Sequence, residues 1–205
     1  AAVYLIVTRA PRPRAELVPT FYVSALGTVV GFPLFIGLAL RHVDAMHAAV
    51  VTGLMPLATA VAAAMWFRQR PSNAFWACAS AGCGLVVAFA LVQGSGRLTM
   101  AVALLLGAVA STAMGYVAGA QLASQMRAEQ VICWVLVLSL PLTLPVAWWS
   151  WPEQPVRAAS WGGFAYVTLF SMWLGFFAWY RGLALGGTVR VSQVQLVQPF
   201  LSLLF

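Results

Sequence analysis

Lysine is absent from these 205 residues, acidic side chains number four, and charged residues make up only 7% of the chain. A soluble domain carries about 25% charged residues, so a chain this poor in charge and 62% hydrophobic would expose apolar surface everywhere in water. Its solvent is lipid. Cysteine is scarce too. Cys78, Cys83 and Cys133 lie inside apolar runs and form no CxxC pair or His-spaced set, which excludes the common zinc and dithiol chemistries. No HExxH occurs, and Gln93-Gly94-Ser95-Gly96 falls between apolar runs rather than within one, so an intramembrane hydrolase has no visible machinery. Neither a catalytic residue, a metal ligand nor a cofactor is expected.

What the chain does have is a succession of apolar runs of about 20 residues, each long enough to cross a hydrocarbon core of roughly 30 Å as a helix. Hydropathy and punctuation by Arg, Pro and Gly predict spans at 19–40, 46–67, 74–93, 98–120, 131–150 and 161–182, with partial spans before Arg9 and after Val189. The expectation that both ends are cut follows from the chain's opening and closing inside apolar stretches. Short connections such as Arg68-Gln69-Arg70-Pro71-Ser72-Asn73 make successive helices antiparallel neighbours.

The net charge of +7 comes from eleven arginines. These are spread among the connections rather than gathered into a basic face, which excludes nucleic acid as a partner. If the spans alternate, Arg9, Arg12, Arg14, Arg68, Arg70, Arg127, Arg181 and Arg190 fall on one side and Arg41, Arg97 and Arg157 on the other. The positive-inside rule makes the first side cytoplasmic. Trp148, Trp149 and Trp151 then stand at the outer interface, where an aromatic belt belongs.

An internal repeat runs through the chain. Gly37-Leu38-Ala39-Leu40 returns as Gly182-Leu183-Ala184-Leu185, preceded at matching offsets by Phe32 and Phe35 in one copy and Phe177 and Tyr180 in the other. Pro56 and Pro199 follow the two copies at similar distances. The second copy lies five spans after the first, and an odd number of crossings inverts the topology, as in many secondary transporters.

These residues resemble the drug/metabolite transporter superfamily with its paired five-helix EamA-type domains. His47 through Leu57, in which small residues lead to Pro56, is similar to the fourth helix of that domain, and Ala74 through Gln93 to the fifth. Tyr166 through Leu185 and Ser192 through Phe200 are similar to the third and fourth helices of a second copy. The resemblance implies an all-α polytopic transmembrane bundle of inverted five-helix repeats, ten helices in the full protein and truncated here. Residues 1–93 would belong to the first repeat and 98–205 to the second. Family members usually carry Glu after the proline helix, and this chain reads Phe67-Arg68-Gln69-Arg70 there, so no role of that acid carries over.

Pro56 and Pro199 each remove a backbone donor and free a carbonyl, which is tolerated at membrane depth only inside protein or beside a water-lined cavity. Ser192, Gln195 and Gln198 recur every third residue beside Pro199, a polar stripe that must avoid acyl chains. Together with Thr52, Tyr116, Trp173 and Tyr180 they form the expected substrate-binding set, for which kinking prolines, interhelical glue and ordinary aromatic packing are the rival readings. Gly107, Ser111, Gly115 and Gly119 form a ridge of small residues suited to close helix packing. The expected partners are a small-molecule substrate and the bilayer, with a homodimer left open. The expected activity is alternating-access transport of small metabolites, amino acids or amphipathic compounds, across a bacterial inner membrane, by an exporter. A membrane scaffold or an intramembrane enzyme is the alternative. No acidic residue falls within the predicted complete spans, which favours movement without an intramembrane carboxylate.

Overall fold

The computed structural model describes residues 1–93, 100–153 and 155–197. All regular structure among them is helical, as a lipid solvent demands of a chain that cannot leave backbone groups unpaired. In chain order the helices are α1 (Ala2–Val7), α2 (Ala15–Ala39), α3 (Ala45–Thr52), α4 (Met55–Trp66), α5 (Asn73–Gln93), α6 (Met100–Ala123), α7 (Ala128–Trp149), α8 (Ala158–Gly186) and α9 (Thr188–Val191). A 3₁₀ segment, Ser192–Val197, continues α9. Five stretches among the described residues are long and apolar enough to cross a membrane: α2, the α3–α4 unit from His47 to Trp66, α6, α7 and α8. The 21 residues of α5 add a further rod of about 30 Å at 1.5 Å per residue. The protein is a polytopic helical bundle. Two helices begin earlier than hydropathy predicts and take Glu16 and Glu129 into their first turns, where a carboxylate suits the positive end of the helix dipole.

The axis of the bundle is α6, which touches α2, α3, α4, α7 and α8. Its ridge of small residues explains how. Gly107 lies under the ring of Phe35, Ser111 against Gly31, and Gly115 against Gly27 and Thr28. Rising numbers on α6 meet falling numbers on α2, so the two run antiparallel. Their backbones come so close that a Cβ built on Gly27 would lie 2.8 Å from the Cα of Gly115. At the end of the ridge Gly119 receives the ring of Tyr180 from α8. On another side α4 runs parallel to α6, with Ala60 and Ala63 packed with Val117 and Trp66 Nε1 donating to Gln121 Oε1 at 2.7 Å.

These contacts sort the arginines. The start of α2, the end of α4, the end of α6, the start of α7 and the end of α8 share one end of the bundle, which therefore carries Arg9, Arg12, Arg14, Arg68, Arg70, Arg127, Arg181 and Arg190. Arg41 and Arg157 lie at the other, and Arg97 is outside the described residues. Trp148 and Trp149, 86% and 91% exposed, also lie at that second end. Toward it the outer halves of α7 and α8 present Leu144, Val146, Phe164 and Phe170 outward, an apolar surface that suits lipid.

Two helices contain wide π turns, Leu26–Gly31 in α2 and Val167–Leu174 in α8. Pro33 follows the first closely and cannot donate to the carbonyl one turn back, so the ladder must loosen upstream of it. These are the two helices that carry the internal repeat, and shifting the first segment by the repeat offset makes it overlap the C-terminal half of the second.

Candidate functional site

The helix containing Pro56 is broken. Thr52 ends α3, and its hydroxyl donates to the Ala49 carbonyl at 3.0 Å. Gly53 and Leu54 form a turn, and Met55 and Pro56 open α4, where the missing proline N–H costs nothing because the first helical turn has no intrahelical acceptor for it. The corresponding stretch before Pro199 is the 3₁₀ segment Ser192–Val197. Both described stretches that lead toward a proline in the sequence therefore leave α geometry.

The two breaks meet. Gln193 Nε2 donates to the Pro56 carbonyl at 3.1 Å, and Gln195 Nε2 lies 3.9 Å from Met55 Sδ. In a 3₁₀ helix residues three apart eclipse one another, so Ser192 and Gln195 share a side, and Gln193 and Gln195 both reach the start of α4. Ser192 is fully buried and its hydroxyl donates to its own Val189 carbonyl at 3.1 Å. Gln195 Oε1 is sealed from solvent with no hydrogen-bond partner. Beside that amide lies the hydroxyl of Tyr116 from α6, and the Tyr116 ring packs on Trp179 of α8 with centroids 5.2 Å apart. Trp179 Nε1 is likewise buried and unpaired, as is Thr59 Oγ1, one turn beyond Pro56 on α4. An unmet buried donor or acceptor costs about 1–3 kcal/mol, and Gln195 Oε1 and Thr59 Oγ1 belong to the two elements that meet here, while His47 Nε2 and Trp134 Nε1 are unpaired elsewhere.

Of the residues expected from sequence, Pro56, Tyr116 and Gln195 gather at this junction, with Thr52 at its edge and Ser192 behind it. Tyr180 sits next to Tyr116, sharing the Phe176 ring with it, but its hydroxyl, wholly buried, is 3.0 Å from Ser24 Oγ, which donates to the Gly115 carbonyl. Trp173 is on another flank of α8, where Nε1 donates to Cys133 Sγ at 3.3 Å and the ring meets Tyr4 of α1. Gln198 and Pro199 lie outside the described residues. Sequence reasoning passed over Gln193 and Thr59 as site residues. Gln193 falls off a stripe drawn at a spacing of three, and nothing in a sequence marks an unpaired atom.

A family model for EamA-like transporters matches residues 1–92 and again 99–205. The chain belongs to the EamA-like transporter family, within the drug/metabolite transporter superfamily. It is also 44% identical over 202 residues, 98% of this chain and 70% of the relative, to a Bacillus subtilis (strain 168) protein described as the uncharacterized transporter YdeK. No solved structure matches. The protein is thus a membrane transporter.

Proposed function

We propose that this transporter moves small neutral or zwitterionic metabolites, amino acids or compact amphipathic compounds, across the bacterial cytoplasmic membrane by alternating access, in the outward direction. In this reading residues 1–93 and 98–205 are halves of opposite topology, and the solute sits between them at the meeting of the proline helices. The observation that carries it is the contact of Gln193 and Gln195 with Pro56 and Met55, which joins two non-α segments beside unpaired polar atoms. The arginine distribution supports the orientation, with the end bearing Arg127 and Arg181 in the cytoplasm. Among the described residues no carboxylate lies in the middle of a span, so the solute is expected to need no acid for its recognition.

The test is Gln195→Leu in the intact protein, reconstituted into proteoliposomes and screened against neutral and zwitterionic solutes. Leucine keeps a membrane-compatible volume and removes the amide. Transport per folded molecule should fall while thermal stability in detergent is kept. If the amide is only interhelical glue, its loss should instead lower stability by roughly 0.6 kcal/mol and leave transport per folded molecule as it was. Unchanged transport for Gln195→Leu and Thr52→Val alike would overturn the site.

A further inference from the structure

A second site, away from the proline junction, lies at the arginine-rich end. A cavity of about 350 Å³ opens there between the α6–α7 connection and the end of α8, lined by Ala123, Met126, Arg127, Glu129, Arg181 and Leu185 among others. Its size falls at the lower end of small-molecule sites, about 300–1,000 Å³. The lining combines apolar side chains, Ala123, Met126 and Leu185, with the guanidinium groups of Arg127 and Arg181.

The charges in that lining do not cancel. Glu129, largely buried, stands 3.6 Å from Nε of Arg127, whose side chain is 69% exposed. That contact is long and monodentate, and exposed pairs of this kind hold their partners weakly. Arg181 forms no ion pair among the described residues. One of the two cations therefore has no ion-pair partner among the described residues and the other is loosely held, beside apolar lining residues.

We propose that this cavity binds the phosphodiester of an anionic phospholipid, the head group meeting Arg181 and Arg127 and the glycerol and upper acyl carbons resting on the apolar wall. A free phosphate would satisfy the arginines but not that wall. Attraction of a surface arginine to an anionic leaflet contributes about 1 kcal/mol, and a site made of two should prefer an anionic to a zwitterionic lipid by tenfold or more. Glu129 sets an upper limit, because it competes for Arg127.

The experiment is native mass spectrometry of the intact transporter, released from detergent in the presence of phosphatidylglycerol, phosphatidylcholine or inorganic phosphate. Retention of phosphatidylglycerol should exceed that of phosphatidylcholine at least tenfold. It should fall about fivefold, equivalent to roughly 1 kcal/mol, in Arg181→Gln and rise in Glu129→Gln, where Arg127 is released. Arg190→Gln, at the same end but outside the cavity wall, should leave it unchanged, with thermal stability tracked in each variant to exclude unfolding. Equal retention of the two lipids, an equal loss in Arg190→Gln, an unaltered Glu129→Gln, or displacement of phosphatidylglycerol by millimolar phosphate would each overturn the proposal.

Discussion

Replacing Gly27 with alanine tests how α2 and α6 are held together. A Cβ at this position would run into the Ser111 carbonyl oxygen and lie 2.8 Å from both Cα and N of Gly115. All three are backbone atoms of α6, so no side chain can swing aside and the helices must part. Forcing a methyl into a packed interface costs about 1–3 kcal/mol. Helix propensity works the other way, since alanine is favoured over glycine in a helix interior by about 1 kcal/mol. Gly37, on the same helix, supplies the reference because a Cβ there meets nothing within 4 Å. Gly37→Ala should gain up to about 1 kcal/mol, whereas Gly27→Ala should lose about 0–2 kcal/mol after the propensity gain is subtracted. The assay is denaturant titration of both variants in mixed micelles, followed by tryptophan fluorescence, on the intact protein. Equal stability for the two variants would refute the close approach of the backbones and with it the antiparallel register Gly107–Phe35, Ser111–Gly31, Gly115–Gly27.

Tyr180→Phe removes a hydroxyl that meets Ser24 Oγ, and it should destabilise by about 0.6 kcal/mol and at most about 1.7. In a double-mutant cycle Ser24→Ala should add less on the Tyr180→Phe background than alone, and strict additivity would show the two hydroxyls to be independent. Orientation is checked by single cysteines in a background lacking Cys78, Cys83 and Cys133. In intact cells a cysteine at Ser160 should react with an impermeant thiol reagent, while one at Ser72 should react only after permeabilisation, and the reverse order would invert the topology. Gln193→Leu takes away a second donor to the Pro56 carbonyl, and the loss of that hydrogen bond should cost about 0.5–1.5 kcal/mol. A calorimetric or thermal-shift measurement showing no loss would mean that water replaces the amide and that the junction is wet.

The helical spans could be read from sequence because hydropathy is a property of consecutive residues, and the predicted 131–150 and 161–182 differ from Ala128–Trp149 and Ala158–Gly186 by a few residues at each end. The ridge of Gly107, Ser111, Gly115 and Gly119 could also be read, since its spacing alone requires one face. Its partners could not. Ser24 and Tyr180 are 156 residues apart, and no local pattern reveals that a tyrosine sharing a helix with the repeat signature spends its hydroxyl on a serine of the other half. Gln193 was hidden for a different reason: it falls off the stripe of every third residue, in an α-helix and in the 3₁₀ segment alike. The arginine sides followed from counting crossings, which needs no knowledge of packing. The prolines could be located in sequence, but that their breaks touch is a fact of tertiary structure.

The π turn at Leu26–Gly31 divides α2 into two halves whose angular phase is no longer common. One residue more than an α-helix requires is wound into the middle of the rod, so everything from Phe32 to Ala39 is rotated by about 100° from where a helical wheel drawn from Val18 would place it. Gly27, at the start of the turn, reaches Gly115, and Phe35, beyond it, reaches Gly107, so both halves are seated on α6 in the phase that the turn sets. The segment therefore behaves as a counted element rather than a flexible one. Deleting a single residue between Leu26 and Gly31 would restore a regular helix of nearly the same length and hydropathy. It would nevertheless turn one half of α2 away from α6, so a change that every span-finding rule would pass as neutral should unseat the bundle.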